Sequence, residues 1–301
     1  MENQLPKLQS SEYIRLCQSF KEWLQLLNYS VHSIPALFYH VRDFLIYQEQ
    51  NHKLALEQLT ASDASNFINE LGKLTGVRTK KLYSSNHLNK YVQALHLFSK
   101  YIRETGKSDI GFMIERKQAS RAAPCWLTKA EIQRLYEATT DNVLGIRDRA
   151  MLAVYYGCGL RLNEGIHIHT GDILMDKKLL HVRKGKYYKE RYVPIAEKNY
   201  EELKLYIDYA RPQLLQEIKT TALFIDANKG RAMHKQSLYL RIKRLVKIAK
   251  INKKVGAHTL RHSIATHLLQ SGMKLERIKD FLGHDHLDST QIYAHLANEP
   301  L

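Results

Sequence analysis

The chain has 301 residues, 46 Lys+Arg against 30 Asp+Glu, a formal net charge of +16 and a pI near 9.6. With 44% hydrophobic residues it can bury real cores, and its length suits about two domains, so wholesale disorder is excluded. Its longest apolar run, Ala150 to Leu160, is far shorter than the roughly 20 residues of a membrane helix, which excludes a spanning segment. Cys17, Cys125 and Cys158 are too scattered for a disulfide scaffold or a zinc knuckle and suit a reducing cytoplasm. Met1-Glu2-Asn3-Gln4 lacks the basic and apolar regions of a signal peptide, so none is expected. The positive excess predicts a polyanionic partner, nucleic acid ahead of an anionic membrane, because the basic residues are not massed on one amphipathic helix.

Ile14, Cys17, Phe20, Trp23, Leu24 and Leu27 recur at helical spacing and predict a first helix. Pro35, just after Ser33-Ile34, suits the first turn of a second, with Leu37, Phe38, Val41, Phe44 and Leu45 as its apolar stripe. Thr60 with Asp63 is expected to cap a third helix before Phe67, Ile68 and Leu71. Ser84-Ser85 precedes a fourth, along Leu88, Tyr91, Val92, Leu95, Phe98, Tyr101 and Ile102, and Gly106 closes it. These stripes predict a helical bundle over residues 1–106. Its outer basic residues, Lys90 among them, are either phosphate contacts or an ordinary solvated surface. A linker is expected over 107–126, with Gly111, Arg116, Lys117, Arg121 and Pro124. Thr128-Lys129-Ala130-Glu131 is a capping box: Thr128 accepts from the N3 amide and Glu131 reaches back to the cap amide. It opens a second domain, 127–301.

The charge concentrates there. Residues 1–120 hold 15 Lys+Arg against 11 Asp+Glu, a net of +4, and residues 121–301 hold 31 against 19, a net of +12. A helix from about Val143 to Tyr156 ends in Gly157-Cys158-Gly159, and the glycines turn the chain so that Arg161 starts the next helix, three residues before Glu164. Leu179–Val182 and Tyr192–Ile195 are β-rich and flank a basic turn holding Lys184, Lys186, Lys189 and Arg191, either a reach into a DNA groove or a solvated, edge-protecting cluster. Gly256-Ala257-His258-Thr259-Leu260-Arg261-His262 opens a further helix, with His258 and Arg261 on one face at its N-terminal, anion-favouring end. Near the C-terminus stand Leu282-Gly283-His284 and, nine positions later, Tyr293.

In this order and spacing, Gly159-Leu160-Arg161 with Glu164, Arg183-Lys184-Gly185 ahead of Glu190-Arg191-Tyr192-Val193-Pro194, His258-Thr259-Leu260-Arg261-His262, Leu282-Gly283-His284 and Ser289-Thr290-Gln291-Ile292-Tyr293 resemble the tyrosine site-specific recombinases, or phage integrases. The likeness is greatest to the compact Xer-like members and covers nearly the whole chain. It implies a mainly α fold (α+β) in which a four-helix core DNA-binding domain, 1–106, and a mainly helical catalytic domain with a small antiparallel sheet, 127–301, clamp around DNA. It implies Tyr293 as nucleophile and Arg161, Lys184, His258, Arg261 and His284 as the phosphate-activating set. Glu164 supports Arg161 or His258, and Lys186, Lys189, Arg191, Lys90 and Arg121 are the expected DNA contacts.

The residue types suit phosphodiester chemistry. Two guanidiniums can donate paired hydrogen bonds to non-bridging oxygens. A phenol with an ordinary pKa of about 10 must lose its proton as it attacks, and an imidazole suits that exchange. The departing 5′ oxygen needs a proton, for which Lys184, or in its place Lys186 or Lys189, is the expected donor. The reaction implied is strand cleavage and rejoining through a 3′-phosphotyrosyl intermediate and a Holliday junction, with no cofactor and no ATP. No metal is expected either, since the pairs His167/His169, His284/His286 and His262/His267 lack hydrolytic-zinc spacing. The expected partners are double-stranded DNA, a homo-tetramer on two sites, and an accessory or paired recombinase. The expected place is the cytoplasm, at the nucleoid. A type IB topoisomerase-like nicking and resealing enzyme and a non-catalytic DNA-binding protein on the same scaffold are the alternatives, and His258 favours the recombinase. Three features depart from the pattern. Arg183 replaces a glycine before the catalytic lysine, Gly165 and His167 replace aliphatic residues after the first arginine motif, and eight residues follow Tyr293 where Xer-like members commonly carry a docking helix.

Overall fold

The computed structural model describes residues 7–76, 80–118, 125–183, 190–216 and 218–283. The chain divides into two compact units, Met1–Ala122 and Ala123–Leu301. It is mostly helical with one small antiparallel sheet, the mixed architecture expected from the sequence.

The first unit holds α1 (Ser11–Leu26), α2 (Ile34–Gln50), α3 (Asp63–Lys73) and α4 (Ser85–Glu104). Ser10 caps α1, Ser84 caps α4, and Pro35 sits in the first turn of α2. Gly106 ends α4 in the left-handed region at φ +64°. The apolar stripes meet in one core around Phe20, Leu24, Val41, Phe44, Ile68, Leu95, Phe98 and Tyr101. Each such fully buried side chain contributes roughly 1.5–3 kcal/mol over an exposed one. Phe98 is central: its ring meets Phe20 edge-on at 5.4 Å, and Ser99 beside it accepts from the Phe112 amide and donates to Ile110 O. The start of α3 differs from expectation. Asp63 is the first helical residue, and its carboxylate accepts from Thr60 N at 2.7 Å and from Lys53 at 2.6 Å. Thr60 belongs to the turn that Asp63 fastens; it is not the cap.

The second unit begins with α5 (Lys129–Glu137), whose capping box forms at 2.8 Å and 3.2 Å between Thr128 and Glu131. Asn142 caps α6 (Val143–Leu152), which widens into a π-helical turn over Ala153–Gly157. Next come α7 (Leu162–Ile166) and a sheet of β1 (Ile173–Leu174), β2 (Leu179–Val182) and β3 (Arg191–Pro194) in the order β1-β2-β3. Leu180 pairs with Val193 and Val182 with Arg191, so the sheet's inner face is Leu180, Val182 and Val193. Among the described residues the further α-helices are α8 (Glu197–Leu205), α9 (Arg211–Leu215), α10 (Lys235–Ile248), α11 (Ala257–Gln270) and α12 (Leu275–Leu282). The π turn and α6 form the centre of the core, with Leu152, Val154, Tyr155 and Leu160 fully enclosed. Ser263, buried in α11, accepts from Leu127 N at 2.8 Å, so the segment entering α5 is tied to the helix that carries His258 and Arg261. Among the described residues no helix is long and apolar enough to cross a membrane.

Candidate active site

Among the described residues, chain turns bring Arg161, Glu164 and Arg261 together. The π turn delivers Gly159 with φ +62°, and a Cβ there would stand 2.9 Å from Leu282 and 3.1 Å from Phe281. Only glycine lets this turn lie so close against α12. Arg161 follows as the N-cap of α7, and Glu164 reaches back to its amide at 2.9 Å. The same carboxylate accepts from Arg161 Nη1 at 2.7 Å. From α11, the Arg261 side chain is 4% exposed, donates Nη1 to Gly159 O at 2.7 Å and Nη2 to Leu282 O at 2.7 Å, and stands 3.9 Å from Glu164. Arg161 Nη2 donates to Gly283 O at 2.8 Å. The two arginines thus converge from separate helices on the C-terminal end of α12, one residue before His284.

Glu164 is the hub. Burial by itself raises its carboxyl, but the hydrogen bonds and charge of Arg191, then the amide and guanidinium of Arg161, outweigh that and hold it down at about 2. It is therefore a permanent anion amid three guanidiniums. His258 lies in the first turn of α11, open to solvent on one side. Partial burial of its ring, followed by the charges of Arg261 and Arg161, lowers its pKa from the ordinary 6.5. The imidazole is then neutral at physiological pH, which is the form that accepts a proton. His262 is lowered for the same reasons, burial first and then His258 and Arg261.

Arg191 departs from expectation. Beyond the basic turn in which the sequence places it, it starts β3 with its side chain 11% exposed and grips both oxygens of Glu164, at 3.1 Å and 2.8 Å. The signal for this was in the sequence. Arg191 and Val193 are two apart on a strand and share a face, and Val193 is fully buried. Lys90 is exposed on α4 in the first unit. Lys184, Lys186, Lys189, Arg121, His284 and Tyr293 lie outside the described residues. Arg183, immediately before Lys184, follows the last residue of β2 and forms an ion pair with the buried Asp172, whose other oxygen accepts from His169 N at 2.8 Å. Gly165, also atypical, is required by packing: a Cβ there would lie 2.4 Å from the Tyr155 ring.

Residues 125–299 match the phage integrase family. The chain belongs to that family. Among curated relatives of this integrase-family chain, the tyrosine recombinase XerD of Proteus mirabilis is 32% identical over 255 residues, 82% of this chain and 81% of that protein. The tyrosine recombinase XerC of Anoxybacillus flavithermus is 31% identical over 288 residues, 94% of this chain and 93% of that one. Among solved structures, the XerH site-specific recombinase bound to palindromic difH substrate, in a post-cleavage complex, has a TM-score of 0.70 at 22% identity, covering 97% of this chain and 88% of that chain, a likeness of fold. This integrase is accordingly a tyrosine recombinase, an enzyme of site-specific DNA recombination.

Proposed function

We propose that the protein cleaves and rejoins duplex DNA with Tyr293 as nucleophile. The observation that carries this is the convergence of Arg161 and Arg261, from two helices, on one point beside His258 and one residue short of His284. Two guanidiniums fixed by a buried carboxylate and by backbone carbonyls form a rigid cationic seat for a tetrahedral or pentavalent phosphate. Being fixed in advance, they stabilise transition-state charge without reorganising. Neutral His258 takes the phenol proton as Tyr293 attacks phosphorus, and the P–O5′ bond breaks. Lys184, with Lys186 and Lys189 as alternatives, protonates the leaving 5′ oxygen, and His284 donates to the phosphate. The product is a 3′-phosphotyrosyl linkage and a free 5′ hydroxyl. The phosphodiester's bond energy stays in that linkage, so attack by the partner strand's 5′ hydroxyl reseals DNA without ATP. The guanidiniums supply the electrophilic stabilisation that a metal supplies elsewhere.

The chain's net charge of +16 supports duplex DNA as the partner of both a core-binding domain, 1–106, and a catalytic domain, 127–301. Lys90, Arg121, Lys186 and Lys189 serve as phosphate contacts in this reading. Exchange between two duplexes through a Holliday junction calls for four protomers on two sites, with an accessory or paired recombinase licensing the exchange, in the cytoplasm at the nucleoid. The DNA complexes among similar structures support the duplex partner.

Covalent trapping tests the reading. The protein is incubated, with EDTA present, with nicked suicide duplexes taken from its own genetic neighbourhood, and a denaturation-resistant adduct is mapped by mass spectrometry. The expected result is an adduct at Tyr293 that Tyr293→Phe abolishes while binding persists. An adduct that survives Tyr293→Phe refutes the nucleophile. Binding without any adduct favours the non-catalytic scaffold.

A further inference from the structure

Arg191 makes three sets of contacts that no DNA-binding role requires. Its Nη1 and Nη2 chelate the two oxygens of Glu164 at 3.1 Å and 2.8 Å, in the planar two-pronged geometry that only a guanidinium offers. Its Nε donates to Phe281 O at 3.4 Å, in the last turn of α12. Its Cδ and Nη1 lie where a Cβ on Gly283 would come within 2.9 Å, and Gly283 is itself in the left-handed region at φ +65°. The side chain therefore fills the space against the turn that leads into His284. Glu164, gripped from one side by Arg191, is gripped from the other by Arg161. Gly283, braced by Arg191, offers its carbonyl to Arg161 and follows Leu282, whose carbonyl takes Arg261.

We propose that Arg191 is a positioning residue for strand cleavage: it locks Glu164, and through it Arg161, and it braces the Leu282–Gly283 turn that launches His284. The proposal rests on the assignment of Arg161, Arg261 and His284 to phosphate activation. It assigns Arg191 no contact with DNA. A residue so placed sets the geometry of the seat to a fraction of an ångström. Displacements near 1 Å in such sites cost roughly 100-fold in rate. Lysine cannot replace it, because its donors share one nitrogen and cannot span the parallel Glu164 bonds and the separate Phe281 O as the guanidinium fork does.

Two variants separate the possibilities, each assayed in the full chain. Arg191→Lys keeps the charge and loses the fork. The expected result is an unchanged circular dichroism spectrum and unchanged DNA affinity, with adduct formation at saturating DNA slowed roughly 10- to 100-fold. Arg191→Gln removes the charge. If Arg191 touches no phosphate, the slope of log affinity against log salt stays that of the wild type. A slope shallower by about 0.9 marks a lost phosphate contact and overturns the proposal. Combining Arg191→Lys with Glu164→Gln gives the third readout. Residues acting through one another are not additive, so the double variant is expected to cleave no more slowly than the slower single variant. Multiplicative losses overturn the link through Glu164. Wild-type protein run alongside keeps the two readings apart. An adduct at Tyr293 in the wild type with Arg191→Lys at full rate defeats the positioning role alone, and no adduct in the wild type defeats the underlying site assignment.

Discussion

Replacing Glu164 with glutamine should cost stability in a way that depends on pH, and the dependence is the test. The Glu164 side chain is 4% exposed, and its carboxyl is held at about 2 against an ordinary 4.5. Each unit of such a shift is 1.36 kcal/mol, so the charged form contributes about 3 kcal/mol to folding at neutral pH. Removing one member of a buried charge cluster costs about 3–5 kcal/mol, which agrees. Because the folded-state pKa lies below the unfolded one, this stability is fully present above pH 4.5 and is lost as pH falls through 4.5 towards 2. The difference between wild type and Glu164→Gln should therefore stay near about 3 kcal/mol from pH 7 to 4.5 and vanish near pH 2. The assay is urea unfolding followed by tryptophan fluorescence in a Trp23→Phe background. Trp126 then reports on the second unit alone, since the chain has 2 tryptophans, one in each unit. A difference below about 1 kcal/mol at pH 7, or one that persists undiminished at the acid end, would refute the picture of Glu164 as an anion held by three guanidiniums.

His258 begins titrating below the ordinary histidine range, so adduct formation should hold its rate as pH falls through 6.5 and decline only under it; a decline that begins above 6.5 would remove His258 as the base. Gly165→Ala adds a Cβ 2.4 Å from the ring of Tyr155, which is fully buried and cannot swing away. Overpacking of about 1–3 kcal/mol should outweigh the gain of up to about 1 kcal/mol in helix propensity, and equal or higher stability in urea would show that the ring yields. Thr128→Ala deletes half of the capping box and should cost about 1 kcal/mol, read from the same Trp126 transition. Arg183→Ala frees Asp172 and the end of β2; if this pair fixes the base of the lysine turn, cleavage of a 5′-phosphorothiolate substrate, whose thiolate needs no proton to leave, should be spared while the ordinary substrate slows.

Local patterns were the legible part of the fold. The four helices of the first unit follow from apolar spacing and from Ser84, Pro35 and Gly106, because capping and periodicity act within a few residues. The same holds for the hairpin strands and for the Thr128 cap. What escaped is what depends on distant partners. Thr60 and Asp63 were separable only once Lys53 was seen beside the carboxylate. Asp148 is fully buried because Arg241, 93 residues away, holds both its oxygens, and neither residue signals the other in sequence. Within the site, Arg161, Glu164, His258 and Arg261 stand in recognisable motifs. Arg191 was expected among the DNA contacts of the basic turn because charge drew more weight than its period-two relation to Val193. The role of Gly165 was hidden since the Tyr155 ring that needs its space belongs to the π turn ten residues earlier, packed from an adjoining element.

The acceptors that hold the two arginines bear on synthesis as well as catalysis. Arg161 waits on the carbonyl of Gly283, 122 positions downstream, and Arg261 on that of Leu282, 21 positions downstream. Translation is vectorial, so a nascent chain presents both guanidiniums, already matched with Glu164 and the Gly159 carbonyl, before these downstream acceptors exist. Such contacts of large sequence separation also form late in folding, after the intervening loop entropy has been overcome. A chain cut short anywhere ahead of α12 is therefore still basic but lacks the two carbonyls that seat Arg161 and Arg261, so the arrangement is set only once the Leu282–Gly283 turn has been made.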